Sequence, residues 1–133
     1  MYDFKGKVAV VTGGAMGIGK CICEKFRDAG AAVCTIDRLA DCYFTGDLAN
    51  KAVLEEFAKK VVSDYGRVDF LINNAPPAFS GIDECSYADF EYALKVGITA
   101  PFYLTKLFAP YFGEGASIVN ISSSRDRMSQ PQS

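Results

Sequence analysis

The residues most able to do chemistry follow the apolar run Val8-Ala9-Val10-Val11 directly: Thr12-Gly13-Gly14-Ala15-Met16-Gly17-Ile18-Gly19. An apolar strand running into a glycine-rich turn and then a helix presents backbone N–H groups at a helix N-terminus, where the helix dipole also favours negative charge. Gly13 suits the tight turn, Gly17 the close approach of a phosphate, and Gly19 the close packing of helix on strand. Two nucleotide chemistries compete for such a turn. Gly14, four residues, Gly19 and Lys20 approach a mononucleotide phosphate loop, but Cys21 stands where a Ser or Thr would hold magnesium. A thiol is a poor ligand for that hard cation. A dinucleotide site instead calls for an acid about 20 positions on, at the end of the second strand. Asp37 lies 18 positions past Gly19 and closes Ala32-Val33-Cys34-Thr35-Ile36. A glycine turn serving packing alone needs no such acid. The spacing therefore points to a dinucleotide, with its diphosphate on the amides around residues 13–19 and a ribose on Asp37.

The elements that must position this turn alternate strand with helix, the pattern of a parallel sheet covered on both faces. Ile18, Ile22, Phe26 and Ala29 mark the inner face of a first helix ending at Gly30. A second strand covers 32–36, and a third lies around 42–45 before Gly46-Asp47-Leu48. A helix over about 50–66 buries Leu54, Phe57, Val61 and Tyr65, and a strand follows at 68–72. Pro76-Pro77 marks a loop. Ser86 caps a helical region reaching about residue 112, with Asp89 at N3. A last strand covers 117–121 ahead of a polar tail. Only about five residues join the second and third strands, so no helix is expected there and one sheet face should be less covered.

Composition sets the outer bounds. A chain of 133 residues, half apolar and 23% charged, supports one globular domain with a real core. Its formal charge of −2 offers no basic stripe for nucleic acid or anionic membrane. The N-terminus has no apolar signal region and no run is long enough to span a bilayer, so a soluble, cytoplasmic protein is expected. The cysteines at 21, 23, 34, 42 and 85 are odd in number and form no Cys-x-x-Cys pair, which indicates neither a disulfide framework nor a zinc site. Histidine is absent, which removes Ser-His-Asp hydrolysis and Cys-His chemistry together.

Taken together, four motifs in order resemble the short-chain dehydrogenase/reductase family, over essentially the whole chain. Thr12-Gly13-x-x-x-Gly17-x-Gly19 resembles its cofactor turn, Asp47-Leu48 the pair that flanks the adenine, and Asn73-Asn74-Ala75 its Asn-Asn-Ala-Gly motif. Ile118-Val119-Asn120-Ile121-Ser122-Ser123 resembles its fifth strand and the catalytic Ser beyond it. The resemblance implies an α/β, Rossmann-type, doubly wound parallel sheet of about five strands in the order 3-2-1-4-5, three layers deep. It implies hydride transfer between NAD(P) and an alcohol or carbonyl substrate, and association of like subunits. Ser123 would be catalytic, hydrogen-bonding the reacting oxygen, with Ser122 and Ser124 in packing or turn roles. Gly13, Met16, Gly17, Ile18, Gly19, Asp37, Asp47, Leu48 and Asn74 would bind the cofactor, and no metal is implied. Asp37 should accept from both ribose hydroxyls and repel a 2′-phosphate, which favours NAD, while Arg38 beside it offers NADP a partner.

Three departures from the family pattern stand out. Pro76 replaces the usual Gly and stiffens the loop while removing a donor. Gly97 stands where a catalytic Asn is usual. The family's Tyr-x-x-x-Lys would begin near position 136, past Ser133, so the sequence reads as a form shortened before that pair and lacking the later strands. On that reading the isolated chain binds NAD weakly with negligible turnover. A non-catalytic dinucleotide-binding module is the alternative. The strand at 117–121 would then be an apolar edge inviting self-association, beside a helix whose Phe102, Leu104, Phe108 and Phe112 serve first as core.

Overall fold

In a computed structural model, which describes residues 2–77 and 80–123, the first strand lies at the centre of the sheet. Strand β1 (Val8–Thr12) is buried along its whole length, as an unalternating apolar run must be when both faces are covered. It pairs in parallel with β2 (Ala32–Asp37) on one side and β4 (Val68–Asn73) on the other. Beyond β2 lies β3 (Phe44–Thr45), and beyond β4 lies β5 (Phe112–Asn120), both parallel. The order is β3-β2-β1-β4-β5, as expected.

Alternation along the strands divides the core between two faces. Val8, Val10, Cys34, Ile36 and Leu71 meet α2 (Lys51–Tyr65) and α4 (Ala100–Phe108), whose Phe57, Val61, Leu104 and Phe108 are fully enclosed. Phe57 and Phe108 meet edge to face, ring centroids 6.0 Å apart. Val11 and Ile72 point the other way, onto Cys23 of α1 (Gly17–Asp28). That second face is thinner because residues 38–43 join β2 to β3 through bends without a helix, so α1 covers it with help from the mutually tilted rings of Phe4, Phe26 and Phe70.

Helix α2 starts where its sequence dictates. Asn50 accepts from the N–H groups of Ala52 (3.0 Å) and Val53 (3.4 Å), and Gly66 ends the helix in the left-handed region. Asn50→Ala is expected to cost about 1 kcal/mol. Thermal unfolding followed by circular dichroism should show a fall of about 3 °C.

Several expectations shift. Tyr65 is 44% exposed and Phe102 65% exposed, so neither is core: Tyr65 closes α2 beyond the sheet, and Phe102 sits on the outer side of α4. Ile18 is also exposed, because the first turn of α1 projects past the strand ends. The third strand begins at Phe44, not 42, since Tyr43 gives its N–H to the Thr35 hydroxyl and Cys42 sends its thiol to the Phe44 carbonyl. The long helix expected from 86 is divided. A capping box of Ser86 and Asp89 starts α3 (Tyr87–Leu94), and a π-helical turn (Lys95–Thr99) and a 3₁₀ turn (Ala109–Tyr111) flank α4. The last strand starts at Phe112, five residues early, across a register shift between Val68 and Phe70, and it ends at Asn120. Ser124 and the polar tail lie outside the described residues.

Candidate functional site

All five strands point their carboxyl ends at one cavity of about 1010 Å³. Open α/β sheets take ligands at this position, where the strand order reverses on either side of β1. The turn after β1 forms its floor. Gly13, at φ +67°, donates to the Ile36 carbonyl (2.8 Å), and a Cβ there would lie 2.9 Å from the Ala75 backbone. A Cβ on Gly19 would lie 2.1 Å from the Gly13 carbonyl oxygen and 2.5 Å from Asn74 Nδ2. Met16, the N-cap of α1, makes no side-chain cap, and the first turn carries no acidic residue. The amides of that turn therefore border the cavity without an internal acceptor from the cap, at the positive end of a twelve-residue helix.

The turn is tied to β4 by residues of both strands. Thr12 Oγ1 accepts from the N–H groups of Asn74 and Ala75, each at 3.0 Å. The Asn74 amide returns two bonds of 3.2 Å, to the carbonyls of Thr12 and Gly13. Asn74 thus borders the cavity with its amide already committed to shaping the turn. Asp37, at the end of β2, accepts from the N–H groups of Ala15 and Leu39, each at 3.1 Å. Its carboxylate lies against the glycine turn through the Ala15 N–H.

Gly13, Met16, Gly17, Ile18, Gly19, Asp37, Asp47, Leu48, Asn74 and Ser123 all line this cavity. Leu48 is buried in its wall, and Ser123 stands beyond β5. Gly97 lies in the π-helical turn facing the Pro77 ring, which a Cβ would meet at 3.5 Å. Among the described residues, no three His, Cys, Asp or Glu side chains are placed to hold a metal. No helix among them is long and apolar enough to cross a membrane.

Sequence reasoning weighed Gly14 only as part of a phosphate loop, not for packing, and missed Tyr92. A Cβ on Gly14 would strike Thr35 Cγ2 (2.6 Å) and Cys23 Sγ (2.9 Å), so this glycine lets α1 sit on β2. The Tyr92 hydroxyl donates to Asp47 Oδ1 (2.8 Å) and accepts from Arg38 Nη1 (3.1 Å), closing one end of the cavity. Burial, followed by the Asp47 carboxylate, raises the Tyr92 hydroxyl above the ordinary tyrosine range, so it keeps its proton. The buried stripe Ala93, Val96, Ala100 and Leu104 was readable as a helix face, but the partners of its neighbour Tyr92 come from 45 and 54 residues away.

An open parallel sheet with a glycine turn at the head of its first helix is a Rossmann-type doubly wound fold. The chain matches the profile of the short chain dehydrogenase family over residues 7–133, and it belongs to that family. An uncharacterized oxidoreductase of Thermotoga maritima is 33% identical, matching 91% of this chain and 55% of its own length. The L-fucose dehydrogenase of Rattus norvegicus is 32% identical over 97% of this chain and 53% of its own. A metagenomic short-chain oxidoreductase solved in complex with NADP superposes with a TM-score of 0.83 and 29% identity, across 90% of this chain and 62% of that one. The chain therefore spans about half the length of the curated relatives it matches.

Proposed function

We propose that the cavity is a nicotinamide dinucleotide site, and that the protein moves a hydride between NAD(P) and a small alcohol or carbonyl substrate. The observation that carries the reading is the glycine cradle, since positions 13 and 19 have no room for a side chain yet enclose open space. Uncapped amides at the head of α1 suit a diphosphate, and Gly17, with nothing within 4 Å of its Cβ position, leaves the approach clear. Asp37 would take the hydroxyls of the adenosine ribose, and Asp47 and Leu48 would border its adenine. A nicotinamide cofactor, when bound, supplies the hydride acceptor or donor. Ser123 would hydrogen-bond the substrate oxygen, and Met16 and Ile18 would cover the diphosphate from the head of the helix. Copies of the chain would associate, for which the half-exposed Ile118 and Val119 of β5 offer an apolar surface.

One observation favours a second reading, a module that binds the dinucleotide with little turnover. Gly97 presents no polar side chain at the position where the family usually carries an Asn, and Pro77 faces it.

Calorimetric titration tests the first reading. NAD⁺ should bind saturably, and Asp37→Ala should weaken it about tenfold, the worth of a charge-assisted hydrogen bond. Saturable uptake of magnesium ATP with no heat from either dinucleotide would overturn it. Reduction of bound NAD⁺ by alcohols, followed by absorbance, separates catalyst from module.

A further inference from the structure

The adenosine end of the cavity is crossed by a strap of three side chains from three separate segments. Arg38 comes from the bend after β2, Asp47 from the turn after β3, and Tyr92 from α3. The Tyr92 hydroxyl has one hydrogen, and the Asp47 carboxylate, which also accepts from the Ala49 N–H at 2.9 Å, is the only partner of the two that can accept it. A hydroxyl that gives its proton to Asp47 turns its lone pairs outward, and the Arg38 guanidinium donates to them at 3.1 Å. The same guanidinium lies 5.9 Å from the centre of the Tyr92 ring. Arg38 is itself exposed, and it forms no ion pair with Asp37 or Asp47 among the described residues. Its direction is thus set by Tyr92, not by its acidic neighbour in the chain.

We propose that Tyr92 is a specificity-determining positioning residue: it holds the Arg38 guanidinium against α3, withholds that cation from a 2′-phosphate on the adenosine ribose, and so keeps the site set for the unphosphorylated dinucleotide. The inference rests on the dinucleotide reading of the cavity. Without the hydroxyl, Arg38 keeps only the ring contact among the described residues and can turn toward the ribose beside Asp37. There its five N–H donors match a phosphate, which the Asp37 carboxylate alone repels.

The test is calorimetric titration of the full chain with NAD⁺ and NADP⁺, on the natural protein and on Tyr92→Phe, Arg38→Gln and the double variant. In Tyr92→Phe, NADP⁺ should bind about tenfold more tightly relative to NAD⁺, and the double variant should return to the natural ratio. Arg38→Gln alone should leave that ratio unchanged, because the cation is already withheld. This arm decides the matter if Tyr92→Phe fails to fold. A packing role for Tyr92 would alter both affinities together without moving their ratio. An unchanged ratio in Tyr92→Phe, a shift that survives in the double variant, or a selective loss of NADP⁺ in Arg38→Gln would each overturn the proposal. If the natural protein binds neither dinucleotide, the functional reading itself fails and the proposal fails with it.

Discussion

Gly19→Ala is expected to abolish dinucleotide binding and to lower stability by about 3 kcal/mol. Helix propensity alone argues the opposite, since alanine inside a helix is worth about 1 kcal/mol over glycine. The local geometry decides. The new Cβ would lie 2.1 Å from the Gly13 carbonyl oxygen and 2.9 Å from its carbon, both backbone atoms that no rotamer change can move aside. Gly13 is itself anchored, by its N–H on Ile36 and by the Asn74 amide on its carbonyl. Relief therefore means unfastening the turn from β2 and β4 together, and the amide cradle is lost with it. Melting should fall by about 10 °C and calorimetry should show at least about a hundredfold weaker binding of NAD⁺. Gly17→Ala is the contrasting case. At φ +59° with nothing within 4 Å, it should cost only the left-handed strain of about 1 kcal/mol. A Gly19→Ala protein as stable and as ligand-competent as the natural one would refute the account of the turn.

The other large effect lies at the opposite end of the sheet. Asp69 is buried in β4, and its carboxylate accepts from the Val8 N–H (2.9 Å) and, through both oxygens, from Arg67 Nε (2.9 Å) and Nη2 (2.7 Å). Asp69→Ala leaves the Val8 amide buried without its acceptor and releases Arg67, and should cost about 3 kcal/mol at neutral pH. Burial by itself would raise this carboxyl, but the Arg67 guanidinium, the Val8 N–H and Lys7 outweigh it and hold it below the usual range. A group whose folded value lies below its unfolded value stabilises the fold above the unfolded value, about pH 4, and loses that contribution as pH falls through the folded one. The gap in urea-unfolding free energy between natural protein and Asp69→Ala should be constant above pH 5 and narrow below about pH 4. A gap that stays constant to pH 2 would mean that the charge on Asp69 contributes nothing.

What could be read from the sequence was local. The glycine turn, Asp37 and the caps at Asn50 and Ser86 are set by backbone demands within a few residues, so residue types at fixed spacing reveal them. Asp47, Asn74 and Ser123 came from family resemblance, and the structure gathers all three around the cavity. Periodicity alone misplaced Ile18, Tyr65 and Phe102, because a helical stripe does not show where the sheet beneath it stops. The early start of β5 was also hidden. Position 113 within that strand takes glycine because Asp69 Oδ1 and Arg67 Nη2 would lie 2.9 and 3.2 Å from a Cβ there, a demand made by residues more than 40 positions away. Tyr92 escaped for the same reason, since both of its partners are remote in the chain.

The brevity of β3 has a consequence for how the protein breathes. Its ladder has two rungs, Ile36 with Phe44 and Asp37 with Thr45, flanked by the Gly46 N–H on the Asp37 carbonyl (2.9 Å) and the Tyr43 N–H on the Thr35 hydroxyl (3.2 Å). What holds it beyond them is a buttress of side chains: the Tyr43 ring lies 3.6 Å beneath the Lys60 ammonium, and its hydroxyl is hydrogen-bonded to the Asp64 carboxylate. Side-chain fastenings open at lower free energy than a full ladder. Amide protons from Cys42 to Leu48 should therefore trade with solvent well before those of β1, and a ligand gripping Asp37 and Asp47 at once would act as the missing rungs.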